Sequence, residues 1–569
     1  MQMQWKILQP DRTLVREIQQ RLQCHPITAT VLANRQIGSI DEAQHFIQPG
    51  LDKLPAPATL KGLERAVERI VHAIRAKERI LVFGDYDADG ITATSVLYNF
   101  LLSAGADVFY HLPHRAQEGY GLKPVHITQL AVPKRASLII TVDCGSSSFE
   151  AVATANKFNI DVIITDHHNL DKNLPLAFTI LNPKMEGQPD ALFDLAGVGV
   201  AFYLIIALRS ALRSIGWWNG RGEPNLKAYC DLVAIGTVAD MVSLKGVNRV
   251  LTRTGLDQIC NAPRPGIQAL LAASGIQHHC ISSEDIAFKL APRVNAAGRM
   301  AHAQLAFDLL NSIDEESANT LAQDLNLLNR HRQETENRIY QYIVDNLDRR
   351  PDFLSRKTIV LAGTDWHQGV LGVVAAKLVA RYHRPAIVLS ASDDGAKGSG
   401  RSVPQLDMYA AVERCAHLLQ TFGGHRMAAG LSLRTENIGQ FQTAFENAVT
   451  EMSGSPMIPE LEIDCEIDLD QINGQLIDEL ENLSPFGMDN PQPLFMARDV
   501  RVMKAAIVGQ HHRRMQVCQP HQVAMPMTAM QFNIPPDAPR PGTFERLAFH
   551  LQWNRYRSKK EAQLVVEAW

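Results

Sequence analysis

The sequence predicts an α/β chain of several domains that ends in a small all-β region. Three observations lead there. Short apolar runs ("RILVFG", "DVFYHL", "SLIITV", "DVIIT" and "AFTILN") alternate with helical patterns from about residue 79 to 185, the alternation that builds a parallel sheet. A second unit of the same kind follows at about 356–452, with "KTIVLAG" and "PAIVLS" as strands. The tail, about 458–569, breaks into short alternating segments with Pro and Gly between them, and reads as a β-barrel or sandwich.

The elements can be taken in order. The chain has 569 residues, too many for one hydrophobic core. Residues 1–50 read as an N-terminal helical segment. Residues 51–312 are expected to form the first α/β domain, with helices near 91–104 and 147–158 and mostly helix after about 196. Its longest apolar stretch, "LAGVGVAFYLIIAL", has 14 residues between Asp194 and Arg209. That is too short for a bilayer and reads as a buried helix. Segment 313–348 is long, charged and free of Gly and Pro, as a connecting helix would be. Residues 349–455 then form the second α/β domain and 456–569 the β domain.

Bulk composition narrows the partners. Net charge is −4, so any nucleic-acid binding must rest on local basic patches. The eight cysteines include no C-x-x-C pair, which argues against a zinc site or disulfide framework and fits a reducing cytosol. "MQMQWKILQPDRTLVREIQQ" has no apolar core, so no secretory leader is expected and a cytoplasmic location is.

The chemistry starts at "LVFGDYDADGITATSV", residues 81–96. Asp85, Asp87 and Asp89 would repel one another unless a cation sat among them. Calcium in an EF-hand loop fails, because the twelfth position is Val96 and the preceding element reads as a strand. Ligands in parallel sheets bind beyond the carboxyl ends of the strands. "SLIITV" is followed at once by Asp143, and "DVIIT" by Asp166, His167 and His168; Asp240 follows a further apolar stretch. Each piece alone is weak, since a lone Asp after a strand is often a helix N-cap. Together, carboxylates with imidazole suit Mn²⁺ or Mg²⁺, with zinc less favoured. So many anionic ligands can hold two ions about 4 Å apart, the spacing of in-line phosphoryl displacement, with Asp143 as a candidate bridge.

"DYDADG", "VDCG", "DHH" and "GTVADMV", in this order, resemble the four motifs of the DHH phosphoesterase superfamily, and "FGGHRMAAG" resembles the glycine-rich signature of its DHHA1 domain. "APRVNAAGRM", "WHQGVLGVVAAKL" and "GSGRS" narrow the resemblance to the bacterial single-strand-specific DNA exonucleases of that superfamily. The resemblance covers about residues 60 to 569 and implies a DHH domain, a DHHA1 domain and an OB-like barrel. It places metal ligands at Asp87, Asp89, Asp143, His167 and Asp240. Asp85 and Asp166 would be further ligands or orienters, and His168 would face the scissile phosphate. It further implies 5′→3′ degradation of single-stranded DNA to 5′-mononucleotides in repair and recombination. A single-strand-binding protein, a helicase and a monomeric state are expected with it.

Substrate contacts are expected from Arg115 and Arg299, and from Ser399 and Arg401 in "GSGRS", where glycine would let backbone N–H groups approach a phosphate. Gly424 and His425 in "GGH" could act likewise; a plain turn is the alternative for both glycine clusters. Tyr120, Trp366 and His367 are candidates for stacking on bases. His511, His512, Arg513, Arg514 and "NRYRSKK" at 554–560 place basic and aromatic residues on the tail, as on a barrel that binds single strands. Two competing readings are a related phosphodiesterase acting on oligoribonucleotides or cyclic dinucleotides, and a non-catalytic nucleic-acid scaffold.

Overall fold

The computed structural model describes residues 3–276, 281–349, 356–454, 457–509, 511–520, 525–535, 538–539, 541–555 and 560–569. The chain divides into two compact units. The larger comprises Trp5–Gly298, His302–Gln323 and Glu462–Trp569; the smaller is built on Asp324–Leu461 with Arg299–Ala301.

The larger unit opens with β1 (Gln4–Ile7), α1 (Arg12–Leu22), α2 (Pro26–Asn34) and α3 (Ile40–Ile47). Next come α4 (Leu63–Ala76), β2 (Arg79–Phe83), α5 (Ala88–Ser103), β3 (Asp107–His111), β4 (Leu138–Val142), α6 (Phe149–Lys157), β5 (Asp161–Thr165) and β6 (Thr179–Leu181). α4 buries Leu63, Ala66, Val67, Ile70, Ala73 and Ile74, one apolar stripe at helical spacing. The five strands pair in parallel in the order β3-β2-β4-β5-β6. The apolar, β-branched runs of β2, β4 and β5 are buried on both faces, as in the interior of a parallel sheet. The chain leaves β2 for the edge at β3 and returns on the far side of β2 as β4. Neighbouring strands β2 and β4 therefore send their connections opposite ways, which opens a crevice at their carboxyl ends.

Helices α7 (Gly197–Ser214), α8 (Cys230–Ala239), α9 (Gly246–Asn261) and α10 (Ala291–Met300) follow. α7 is long and apolar enough to cross a membrane, but most of it is buried inside the protein, as expected of a core helix. α11 (Glu315–Asp348) is a single 34-residue helix that begins in the larger unit and ends in the smaller.

After β12 (Glu460–Ile463) and β13 (Cys465–Glu466), α14 (Gly474–Glu481) precedes β14 (Leu494–Val508), β15 (His512–Cys518), β16 (Met527–Gln531), β17 (Thr543–Asn554) and β18 (Glu561–Ala568). β17 pairs with both β18 and β14, so the last five strands close into a barrel. The barrel shares its core with the N-terminal helices: Ile18, Val31, Leu32 and Phe46 pack in one cluster with Phe495, Leu547 and Phe549. Arg35 crosses this join to Asp464 at 3.0 Å, both side chains buried. Some of the basic residues expected on the barrel are committed internally. Arg513 is buried and donates to Gln531 Oε1 (3.2 Å) and Ala538 O (2.8 Å). Arg555 pairs with Glu481 and Lys560 with Asp478. Arg514 is exposed, and residues 556–559 of "NRYRSKK" lie outside the described residues.

The smaller unit carries β7 (Ile359–Thr364), α12 (Leu371–Tyr382), β8 (Ala386–Ser392), β9 (Gly395–Arg401), β10 (Leu419–His425), β11 (Ala428–Leu433) and α13 (Ile438–Met452). Its sheet order is β10-β11-β9-β8-β7. Here the expectation of glycine-rich loops is corrected. "GSGRS" runs through β9, an interior strand paired with both β8 and β11, and "GGH" ends the edge strand β10. The glycines of β9 are closely packed by their neighbours: a Cβ on Gly398 would stand 2.4 Å from Leu389 Cδ2, and one on Gly400 3.1 Å from Met408 Sδ.

Arg249, on α9, is buried and joins three separate parts of the larger unit. Its guanidinium donates to Phe46 O (2.7 Å), Leu483 O (2.8 Å) and Ser484 O (2.9 Å). No carboxylate faces it in these bonds, and burial lowers its pKa to about 9. Arg249→Met would fill the space but leave buried carbonyls without donors, at about 1–3 kcal/mol each. We expect a loss of at least about 3 kcal/mol in urea unfolding; an unchanged midpoint would show that Arg249 does not hold this junction.

Candidate active site

The crevice collects all eight residues expected from the acidic motifs. Asp85 lies just beyond β2 and is buried. Asp87 caps α5, its Oδ1 accepting from Asp89 N and Gly90 N, each at 3.1 Å. Asp89 turns to the start of α7: Oδ2 accepts from Gly197 N at 2.7 Å and Oδ1 from Val198 N at 2.9 Å, donors that a helix N-terminus leaves unused. Asp143, beyond β4, has φ +60, a left-handed conformation that Asp tolerates better than most residues. Gly197 packs directly on it; a Cβ there would sit 2.6 Å from Asp143 Oδ1. Asp240 caps the end of α8. His167 Nε2 stands 3.1 Å from Asp143 Oδ1, 3.5 Å from Asp240 Oδ2 and 3.7 Å from Asp89 Oδ2.

Ligand atoms of Asp85, Asp87 and Asp143 lie within 4.8 Å of one another, and so do those of Asp89, His167 and Asp240. Asp143 also groups with His167 and His168 on the same criterion, so it touches both sets. The residues fit divalent cations. Oδ1 of Asp85 and Oδ1 of Asp143 are buried and accept no hydrogen bond among the described residues. Burial and Asp87 push the Asp85 carboxyl well above the usual range. Burial, then Asp89 and Asp87, do the same to Asp143. Burial and Asp87 raise Asp89 to about 7, and burial and Asp89 raise Asp240 to about 8. Oxygen-rich sites with one or two imidazoles suit Mn²⁺ and Mg²⁺.

Asp166 is different. Oδ2 accepts from Ser146 N (2.9 Å), and Oδ1 from His167 N (2.8 Å), His168 N (3.1 Å) and His168 Nδ1 (2.8 Å). Burial would raise its pKa, but these bonds and the His168 charge hold it well below the carboxylate range. For His168 burial works the other way and is outweighed by Asp166, which lifts the imidazole to about 9. Tyr120, expected as a base-stacking residue, puts Oη 3.1 Å from His168 Nδ1 and 3.3 Å from Asp143 O. Arg115 lies over the Tyr86 ring at 5.0 Å, and its charge reaches Asp85.

Two neighbours escaped the sequence reading. Asn182, just past β6, donates to His168 O (2.9 Å) and Ser146 Oγ (3.2 Å). Lys184 brings a half-buried ammonium near Asp240 and Asp166. The strand-end rule that found Asp143 and Asp166 reaches both when extended to "AFTILN".

In the smaller unit, Ser399 and Arg401 project from the same face of β9. Arg401 Nη1 donates to Ser399 Oγ at 3.1 Å, and a Cβ on Gly372, in the first turn of α12, would meet Arg401 Nη2 at 2.8 Å and Ser399 Oγ at 2.9 Å. Arg299 donates to Gly369 O at 3.1 Å. Gly424 and His425 are on the edge strand. Trp366 and His367 line a cavity of about 510 Å³ with Tyr342, His331 and Arg338.

Sheet order, switch point and paired carboxylate sets are those of a two-ion phosphoesterase of the DHH class. Residues 79–237 match the DHH family, N-terminal domain; 355–451 match the DHHA1 domain; and 463–568 match the RecJ OB domain. The chain is 37% identical over 557 residues to the single-stranded-DNA-specific exonuclease RecJ of Salmonella typhimurium, covering 95% of each chain. It is 36% identical to that of Escherichia coli, again over 95% of each. The crystal structure of Thermus thermophilus RecJ in complex with Mn²⁺ superposes with a TM-score of 0.85 at 28% identity, covering 100% of this chain and 79% of that one. The chain belongs to the RecJ family of single-stranded-DNA-specific exonucleases.

The raised pKa values set a pH dependence for the metal-free protein. Asp89, Asp240 and His168 all bind protons more tightly folded than unfolded. Their stabilisation is complete below the ordinary values, 3.8 for the carboxyls and 6.5 for the imidazole, and is lost as pH rises to about 7 for Asp89, about 8 for Asp240 and about 9 for His168. After EDTA treatment, Tm should fall between pH 6 and pH 9, and Mn²⁺ should raise Tm more at pH 8.5 than at pH 6. Asp143→Asn, which keeps the left-handed backbone and removes a charge, should raise the metal-free Tm and abolish most of the Mn²⁺ effect. A flat Tm profile would contradict the assigned crowding.

Proposed function

We propose that this chain is a metal-dependent exonuclease that degrades single-stranded DNA from the 5′ end and releases 5′-mononucleotides in repair and recombination. The observation that carries the reading is the pair of carboxylate sets meeting at Asp143, where Oδ1 of Asp143 and of Asp85 are buried and accept no hydrogen bond among the described residues. Solved RecJ structures from Thermus thermophilus contain Mn²⁺ or Mg²⁺, and either ion suits these ligands.

Asp85, Asp87 and Asp143 would hold one ion and Asp89, His167 and Asp240 the other, with Asp143 placed near both sets. When bound, two such ions furnish a nucleophile from water at neutral pH and neutralise charge on the phosphate. The chain does the rest. Asp166 holds His168 protonated, so the imidazolium can donate to a phosphate oxygen as charge grows there. Arg115, beside Asp85, supplies a second cation, and Asn182 fixes the His168 backbone. Arg401 and Ser399, facing the first turn of α12, are assigned to the terminal 5′-phosphate, where helix N–H groups and guanidinium act together. Arg299 is assigned to the strand backbone, and Gly424 and His425 to its approach.

The domain limits expected from the sequence stand as part of this proposal: an N-terminal segment to residue 50, a DHH domain to 312, a connecting helix to 348, a DHHA1 domain to 455 and an OB-like domain beyond. So do a cytoplasmic location, a monomeric state, and a single-strand-binding protein and a helicase as companions. Among the described residues no cysteine forms a disulfide, in keeping with a reducing compartment.

The direct test compares 5′-labelled single-stranded DNA, duplex DNA and a dinucleotide with Mn²⁺ or Mg²⁺. Only the single strand should be consumed rapidly. A preference for the dinucleotide would replace this reading with a small-substrate phosphodiesterase. Arg401→Ala should weaken 5′-phosphate recognition by about 1.5–3 kcal/mol, raising KM for phosphorylated strands and narrowing their advantage over 5′-hydroxyl strands. An unchanged ratio would move 5′-end recognition to Arg115.

A further inference from the structure

The geometry points to Glu118 as a positioning residue: a carboxylate anchored by two histidines that fixes the 113–121 loop so that Tyr120 holds His168 and Asp143 in register. This inference rests on the exonuclease reading above.

The loop leaves the carboxyl end of β3 and crosses the mouth of the crevice. Glu118 ties it down from both sides. Its Oε1 accepts from His114 N at 2.7 Å, at the start of the loop. Its Oε2 is 2.8 Å from His111 Nε2, on β3, and 3.0 Å from His126 Nε2, just past the loop. Its main-chain carbonyl accepts from Lys123 Nζ. The three carbonyl bonds from Gln117 N, Glu118 N and Gly119 N to His114 O wind the segment into a tight turn. Gly119 and Gly121 then take φ +73 and +79, left-handed conformations that glycine adopts without strain. They turn Tyr120, between them, back into the crevice.

Tyr120 reaches both halves of the reacting centre. Its hydroxyl lies 3.3 Å from Asp143 O and can donate there, which supports the left-handed backbone of the shared carboxylate. His168 Nδ1 is 3.1 Å from the same oxygen and 2.8 Å from Asp166 Oδ1, so its one proton is directed between the two. The ring packs edge-on to His168 at 5.5 Å. Glu118 thus acts on the imidazole through Tyr120, without touching it.

His111, Glu118 and His126 are also spaced as metal ligands. The hydrogen bonds speak against that use. Lys123 N donates to His126 Nδ1 at 2.9 Å. In the neutral ring the proton is therefore on Nε2, the atom that faces Glu118, and no lone pair is left there for a cation. A donor imidazole and an accepting carboxylate explain the contact.

The test measures kcat and KM on a 5′-phosphorylated single strand, Tm, and bound Mn²⁺ per chain for wild type, Glu118→Gln, Tyr120→Phe and the double variant. Glu118→Gln should lower kcat about tenfold, within the range for displaced catalytic geometry, with Tm within a few degrees of wild type. In the Tyr120→Phe background the same substitution should change kcat less than twofold, the mark of two residues acting through one path. Should Glu118→Gln fail to fold, His111→Phe, at a more exposed ring, should show a smaller kcat loss that also vanishes with Tyr120→Phe. Wild-type kcat in an active enzyme's Glu118→Gln variant overturns the inference, as do losses that multiply in the double variant. A third Mn²⁺ or Zn²⁺ lost on substituting Glu118 would make the cluster a metal site and overturn it too. A wild type inert on single strands would instead overturn the exonuclease reading beneath it.

Discussion

Mutual repulsion among buried carboxylates is the constraint on which the rest of the structure depends. Asp85, Asp89 and Asp143 are each almost fully removed from water, with Asp87 and Asp240 close by. Charges at such separations in a poorly solvating interior cost far more than any surface ion pair returns. The fold supports them with fixed donors where it can: the start of α7 serves Asp89, and backbone and imidazole groups serve Asp166. Those donors do not reach Oδ1 of Asp85 or of Asp143, the atoms proposed to meet cations. The switch point between β2 and β4 puts these atoms together, and glycine at position 197 lets a helix N-terminus come up against Asp143.

The same logic separates two kinds of aspartate in one motif. Asp166 is saturated with hydrogen bonds and stays ionised, which makes it a partner for His168 and a poor acceptor for anything else. Asp89 and Asp240 are under-solvated and crowded by like charge, so they bind protons more tightly than free carboxylates do. Metal uptake is then coupled to proton release, and His168, the proposed phosphate contact, is kept charged by Asp166.

Much of the site was legible because strand ends are. Apolar runs mark the strands, and the residue after each run falls at the sheet edge; that rule placed Asp85, Asp143, Asp166, His167 and His168 before any coordinates. It also contained Asn182 and Lys184, which lack the acidic signature that drew attention to the others. The glycine clusters read as turns or loops but lie in strands: "GSGRS" carries residues depleted in strands, yet it runs through β9, where Leu389 and Met408 pack closely on Gly398 and Gly400. The union of the N-terminal helices with the barrel was not visible at all, because Phe46 and Phe549 belong to one buried cluster although far apart in the chain, and no local pattern encodes that union. Basic residues on the tail suggested a nucleic-acid face, but Arg513, Arg555 and Lys560 have partners within the protein.

The central claim is that two cations share Asp143. Electron paramagnetic resonance of the EDTA-treated protein titrated with Mn²⁺ tests it most directly. The account predicts two Mn²⁺ per chain with the spectrum of a spin-coupled pair, and loss of the coupling in Asp143→Asn. A single bound ion, or two ions with uncoupled spectra in the wild type, would contradict it.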